Sequence, residues 1–409
     1  MKILLVVGRP PWPPRRGDQI RAGQALAALA GDHEVTLLAP RARGADADLH
    51  PRGVAASESY RLSSWPRRLV ACVVNGLRGA PLQQALFASS DLARRLPPLA
   101  RRADLVILQL SRLERYADCV AETPLLVDLI DSLGLNLASR ASRDRAWLRP
   151  LWRAEAKRLA ASEDRLVARA AHSVVVSDRD RAAILLRRPE LAARLGVLPL
   201  AVPQAGRAVA PSPSGRPRLL FTGNLGYFPN RDAARWLFAE IWPALRAARP
   251  ELELLVAGDR PGRELRAAAA RAGATLVASP PSLVELLAGA SVALAPLRGG
   301  SGVPVKVLEA WAAGVPVVVS PGAVAGLAAE GEAATLGGAV RVADAPADWV
   351  AAVGQLLDDA GGRERQVAAG RARLLQRHSP AQVDAAWREA VDRASRAKRD
   401  VQAEFGSVK

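Results

Sequence analysis

Lysine is nearly absent from this chain of 409 residues. Lys2, Lys157, Lys306, Lys398 and Lys409 stand among 57 basic side chains, and the rest are arginine. A lysine in a chemically suggestive position is therefore poorly explained by compositional drift. Cysteine is scarcer still: Cys72 and Cys119 are too few for a disulfide framework or a thiolate metal site. His33, His50, His172 and His378 lie far apart without ligand spacing, so no metal centre is expected. The 9 Trp, 3 Tyr and 5 Phe do not interleave with basic runs, which argues against a nucleic-acid partner. Polar low-complexity tracts are missing, which excludes a disordered chain. No apolar segment reaches the ~18 residues that cross a bilayer. The N-terminal MKILLVVG stops at Arg9-Pro10-Pro11, too short for the apolar core of a signal peptide. These absences leave a globular, cytoplasmic chain, soluble or peripheral on the inner membrane face.

What is present is a repeated alternation of strand and helix. Short apolar runs at 2–7, 33–38, 105–108, 125–127, 173–176 and 197–200 are separated by Arg/Ala-rich stretches with helical spacing. Continuous apolar runs between helices indicate parallel strands covered on both faces. A Pro/Ser-rich stretch, 205–217, has little to bury and reads as a linker. A second series follows, with strands expected at 218–222, 252–257, 274–277, 291–295 and 315–319. The expected fold is thus α/β, two Rossmann-like, doubly wound domains facing each other across a cleft. Residues 1–204 form the first, 218–380 the second, and 381–409 a C-terminal helix packing back towards the first domain. In that helix Val383, Trp387 and Val391 share one face.

Residues 291–320, SVALAPLRGGSGVPVKVLEAWAAGVPVVVS, carry the clearest chemistry. They parse as a strand, a glycine-rich loop at 298–302, a helix from about 304 to 313, a helix stop at Gly314 and a second strand. Proline near the first turn and glycine past the last fit the asymmetry of helix ends. Unpaired amides at such a helix start attract anionic groups. Gly300 and Gly302 let the backbone come close, and Arg298 and Lys306 bring fixed positive charge. Lys306 and Glu309, three apart, share a helix face. A phosphate at the first turn would lie near Lys306, with Glu309 a turn deeper to take hydrogen bonds from hydroxyls. Most other positions of this helix are apolar or small, so it is expected to be buried, and buried charges need partners.

This segment resembles the nucleotide-sugar motif of retaining GT-B glycosyltransferases, specifically glycosyltransferase family 4. Phe221-Thr222-Gly223-Asn224-Leu225-Gly226-Tyr227-Phe228-Pro229-Asn230 is similar to the first strand and loop of that family's donor domain. Residues 252–259 and 314–318 are similar to further donor-domain strands. In the first half, Gly17 occupies the loop after the first strand, and 125–136 is also similar. The resemblance implies transfer of a sugar from a nucleoside-diphosphate sugar, without a cofactor or divalent cation, to a glycan or lipid-linked acceptor in cell-surface polysaccharide or glycolipid synthesis. It places the diphosphate at Arg298, Lys306 and the loop of Gly300, Ser301, Gly302 and Val303, beside Gly223 and Asn224. Glu309 would bind the ribose, the base would lie near 278–282, and positive charge would replace a metal at the leaving diphosphate.

The chain also departs from the family. Ser301 stands where members carry a first glutamate, Asn224 where many carry a basic pair, and Gln109 where a histidine is common. On the acceptor side the candidates are Arg16, Gly17 and Asp131, with Asp131 either facing the cleft or capping a turn. Two other readings stay open: a sugar-nucleotide isomerase of the 2-epimerase type, and an inactive sugar-nucleotide-binding protein. A nicotinamide oxidoreductase is excluded because Gly8-Arg9-Pro10-Pro11 lacks the close-spaced glycine fingerprint. The formal net charge of +17 is uneven, +12 over residues 1–204 and +5 over the remainder, which makes an anionic membrane surface or a phosphate-linked lipid acceptor a candidate partner of the first domain. Segment 65–87 mixes Arg67, Arg68 and Arg78 with Leu and Val. It is expected to be a core-packed helix with a solvated basic face, the alternative being a helix lying on a membrane.

Overall fold

The computed structural model describes residues 1–14, 16–41, 53–120, 122–202, 215–332 and 335–406, with side chains as far as 396. Arg15 and most of the expected linker, 205–214, lie outside the described residues. The chain divides into two compact units, Met1–Leu200 with Val383–Lys409, and Ala201–Gln382.

The first unit holds seven parallel strands: β1 (Lys2–Val6), β2 (Glu34–Pro40), β3 (Ala56–Tyr60), β4 (Leu105–Gln109), β5 (Leu125–Ile130), β6 (His172–Val175) and β7 (Leu195–Val197), in the order β3-β2-β1-β4-β5-β6-β7. The order reverses between β1 and β4, which makes that point the crevice of a doubly wound sheet. Central strands such as β1 and β4 are buried along nearly their whole length because they are continuous runs of Ile, Leu and Val. Strand β3 was not expected: its sequence, ASESY, is polar, and it lies at the sheet edge with only Tyr60 buried. The strand expected at 197–200 runs instead from Leu195 to Val197, because Pro199 has no N–H to continue the ladder.

A buried ion pair crosses this unit. Arg21, on the Gly17–Leu29 helix, donates to Asp128 of β5 at 3.0 and 3.3 Å and to the Pro199 carbonyl at 2.6 Å. Its guanidinium lies 4.8 Å from the ring centroid of Trp387, on the Pro380–Gly406 helix. Val383, Trp387 and Val391 of that helix are fully buried.

The expectation of a core-packed helix at 65–87 is corrected. The segment forms the Trp65–Leu77 helix, which has no buried residue, followed by a turn and the short Leu82–Ala85 helix. Amphipathic spacing shows that a helix has an apolar face but not which way that face points.

The second unit holds six parallel strands: β8 (Arg218–Thr222), β9 (Glu253–Gly258), β10 (Thr275–Ala278), β11 (Val292–Ala295), β12 (Val317–Val319) and β13 (Arg341–Val342), in the order β10-β9-β8-β11-β12-β13. Here the order reverses between β8 and β11. Apolar layers cover both faces, one containing Trp236 and Trp349 edge to face at 6.0 Å, the other Trp311. The carboxyl ends of β8 and β9 approach so closely that a Cβ on Gly258 would sit 1.7 Å from the Gly223 carbonyl oxygen. Gly258→Ala should therefore destabilise by at least about 1–3 kcal/mol, seen as a lower urea midpoint at unchanged slope. Among the described residues no helix is long and apolar enough to cross a membrane.

Candidate functional site

The loops that leave β8 and β11 flank the switch point of the second sheet, where ligands of doubly wound sheets bind. After β8 the chain turns tightly: Gly223 has φ 148°, Leu225 N–H donates to the Asp259 carbonyl at 2.7 Å, and Tyr227 N–H donates to the Asn224 carbonyl at 3.0 Å. The Phe228–Trp236 helix then begins with Pro229 in its first turn, where a missing N–H costs nothing. From the same turn Asn230 reaches back, its Nδ2 donating to the Asn224 carbonyl at 3.1 Å. A side chain on Gly223 would collide with Asn230, since a Cβ there would lie 2.9 Å from Nδ2.

The second loop runs from the end of β11 to the Val305–Ala313 helix. Gly300 and Gly302 adopt φ of 118° and 72°, the left-handed region that side chains avoid. Pro304 is the N-cap, one residue before the expected proline-led turn, and Gly314 ends the helix at φ 71° as expected. Lys306 Nζ donates to Asn230 Oδ1 at 2.8 Å and lies 3.9 Å from the ring centroid of Phe221, a buried residue of β8. Asn230 thus joins both loops, holding Asn224 with its amide nitrogen and Lys306 with its oxygen. Arg298 makes a two-pronged pair with Asp232, at 2.8 and 3.2 Å, and lies 5.1 Å from the Trp236 ring centroid.

The electrostatics differ from a pair of solvated cations. Burial pulls the Lys306 amine down to about 7, with Glu309 partly opposing. Burial likewise pushes the Glu309 carboxyl up to about 7, with Lys306 partly opposing. Near neutrality this helix therefore carries two groups poised to change charge when an ion arrives, rather than the fixed charge expected at Lys306. Arg298 faces the Asp232 carboxylate. Asn230 and Asp232 were not anticipated from the sequence. They act across 76 and 66 positions, and the only local sign was their place in the first turns after a glycine-rich loop.

Of the other candidates, Ser301 and Val303 lie on the loop with Gly300 and Gly302, all partly exposed. In the first unit Arg16 is the N-cap of the Gly17–Leu29 helix, its carbonyl accepting from Ile20 N–H at 2.9 Å, and Gly17 has open space around it. Both follow β1, beside that sheet's switch point. Asp131 follows β5, one strand further. The N-cap of the next helix is Ser132, whose Oγ accepts from Leu135 N–H at 3.1 Å. Burial pushes the neighbouring Glu163 carboxyl up to about 7, with Asp131 adding a smaller effect in the same direction. Gln109, where the resembling family has a histidine, is buried.

Residues 216–359 match the sequence model of the family Glycosyl transferases group 1, a span that contains both loops, Asn230, Asp232, Arg298, Lys306 and Glu309. No curated protein matches the chain in sequence. Solved structures similar to it include Anabaena Alr3699/HepE in complex with UDP and glucose, 15% identical with a TM-score of 0.66, the match covering 96% of this chain and 99% of that one. The α,α-trehalose 6-phosphate synthase of Burkholderia multivorans is 16% identical with a TM-score of 0.64 and coverage of 99% and 98%. WaaG, a glycosyltransferase involved in lipopolysaccharide biosynthesis, is 16% identical with a TM-score of 0.59 and coverage of 95% and 98%. The fold is that of the GT-B glycosyltransferases: two α/β units, each a parallel sheet flanked by helices.

Proposed function

We propose that the chain is a retaining glycosyltransferase of the family 4 kind that moves a sugar from a nucleoside-diphosphate sugar to a glycan or lipid-linked acceptor in cell-surface polysaccharide or glycolipid synthesis. The observation that carries this reading is the Lys306 amine, held by Asn230 at the start of a helix at the switch point, with Glu309 one turn on. The diphosphate would take the helix N-terminus, Lys306, Arg298 and the loop around Gly300, Ser301, Gly302 and Val303. Glu309 would accept from ribose hydroxyls, and the base would lie towards 278–282, beside β10. Solved structures of similar fold hold UDP, so a uridine nucleotide is the first donor to test. In the reaction the bond from the anomeric carbon to the diphosphate oxygen breaks, and its electron pair leaves with the nucleoside diphosphate. The acceptor oxygen bonds to the anomeric carbon and its proton is released. Arg298 and Lys306 would stabilise charge on the leaving group without a divalent cation. Ser301, in place of the family's first glutamate, would offer the sugar a hydroxyl. Arg16, Gly17 and Asp131 are the acceptor-side residues in this reading.

The poised pair predicts a specific pH dependence of donor binding. An arriving diphosphate raises the affinity of Lys306 for a proton, so binding weakens as pH rises above about 7, where the free amine is neutral. Ribose hydroxyls favour the Glu309 carboxylate, so binding also weakens as pH falls below about 7, where the free carboxyl is protonated. Nucleoside-diphosphate affinity should therefore peak near neutrality, with Lys306→Arg flattening the basic limb and Glu309→Gln the acidic one. Calorimetric titration across pH checks this. The function itself is tested by release of nucleoside diphosphate from a panel of sugar nucleotides with oligosaccharide and lipid-linked acceptors, with a chelator present throughout. Turnover with an α-configured product from an α-configured donor supports the reading; interconversion of two sugar nucleotides would point to an isomerase.

A further inference from the structure

The Trp65–Leu77 helix is built inside out. Its large apolar side chains, Trp65, Leu69, Val70, Val73, Val74 and Leu77, face solvent, with Val70 63%, Val73 64% and Leu77 84% exposed. At 3.6 residues per turn these positions cover one contiguous half of the helix. The inward half carries polar and small residues, and they bind the segment that follows. Arg68 Nη1 donates to the Leu86 carbonyl at 3.3 Å and Asn75 Nδ2 to the Pro81 carbonyl at 2.8 Å. Arg158, on the Arg149–Arg169 helix, donates from Nη2 to the Gly76 carbonyl at 3.2 Å. Hydrogen bonds thus tie the inner side of the helix to its neighbours, while much of its apolar half stays uncovered. Six adjacent exposed apolar side chains go well beyond the scattered surface leucines and valines of ordinary proteins.

The charge around this face selects its partner. From residue 61 to residue 90 the chain has Arg61, Arg67, Arg68 and Arg78 and no Asp or Glu. By helical projection Arg67 and Arg78 border one edge of the apolar half. At the start of the helix whose Arg158 reaches Gly76, the stretch 145–153 has Arg145, Arg149 and Arg153 and exposes Trp147 and Leu151. Two copies meeting through such a face would bring arginines against arginines, and the apolar centre gives a nucleic acid nothing to bind. An interface that is apolar in its middle and basic at its border fits a lipid bilayer with anionic headgroups.

We propose that the outer face of the Trp65–Leu77 helix docks on an anionic bilayer surface, with Val70, Val73 and Leu77 at the acyl boundary and Arg67 and Arg78 at headgroup phosphates. This is independent of the transferase reading, because docking needs no sugar nucleotide and either can fail while the other holds. A membrane-borne acceptor is the substrate class that docking would serve.

The test is flotation of the full-length protein with vesicles of phosphatidylcholine, with and without phosphatidylglycerol. The protein should float with the anionic vesicles, and raised salt should release it. Val73→Glu with Leu77→Glu should lower the partition coefficient about a hundredfold, and Arg67→Gln with Arg78→Gln about 25-fold. Both pairs are exposed, so circular dichroism and the urea midpoint should stay unchanged. Absence of binding to anionic vesicles at low salt would overturn the proposal. So would equal binding by the glutamate variant, or self-association in sedimentation that the glutamate variant abolishes while vesicles are ignored.

Discussion

Lys306→Ala should lower turnover by about 10²–10³-fold or more while leaving the protein folded. The two halves of this result have one cause. Burial depresses the amine's proton affinity, so in the ligand-free protein the charged form is disfavoured and folding gains nothing from it. Removing the side chain deletes an amine whose charging is penalised, at the cost of one hydrogen bond to Asn230 Oδ1. The urea midpoint should therefore change little. With a diphosphate in place the balance reverses, because the anion supplies the missing partner and the surroundings that penalised the free amine strengthen its attraction to the leaving group. Lys306→Arg should retain part of the activity, and Asn230→Ala should weaken donor binding without removing a charge. A lysine that only decorated a helix would show neither effect, since exposed charges of that kind contribute little.

The largest effect on stability is expected far from that site. Asp128→Ala should cost about 3–5 kcal/mol, because it leaves the Arg21 guanidinium buried without its carboxylate. Both side chains are fully buried, and Arg21 also engages the Pro199 carbonyl and the Trp387 ring. The loss is thus felt at β5, at the end of β7 and at the C-terminal helix together. Replacing both partners, Arg21→Met with Asp128→Leu, should recover most of the stability, since the cost lies in the orphaned charge and not in the absence of an ion pair. Chemical denaturation of the two single variants and the double variant closes the cycle. A loss below about 1 kcal/mol in Asp128→Ala would mean that water reaches the guanidinium.

The parts of the fold that were readable from the sequence are those whose signal is local. Val292–Ala295 and Val317–Val319 are short β-branched or apolar runs bracketing a helix with a proline at one end and a glycine at the other, and they were placed to within a few residues. Two of the four edge strands were not readable, because Ala56–Tyr60 is polar and Arg341–Val342 is too short to carry a period, whereas the other two edges, Leu195–Val197 and Thr275–Ala278, overlap apolar runs that were read as strands. In the candidate site the same division holds. Lys306, Glu309 and Arg298 stood out because their neighbours are small and lysine is scarce. Asn230 and Asp232 did not, because what matters about them is which distant cation they hold. Nor did the sequence reveal that the surroundings of Lys306 and Glu309 disfavour their charged forms, with Lys306 packed over the Phe221 ring. The Trp65–Leu77 helix shows the limit most plainly: its pattern was visible, its orientation was not.

The central claim is that the start of the Val305–Ala313 helix receives the diphosphate of a sugar nucleotide, and direct titration tests it. UDP added to the purified protein at neutral pH should bind at one site and take up protons above pH about 7 as Lys306 recharges. Lys306→Ala and Glu309→Ala should each abolish or severely weaken that binding. Equal affinity in Lys306→Ala and the parent protein, or no binding by UDP or any other nucleoside diphosphate, would contradict it.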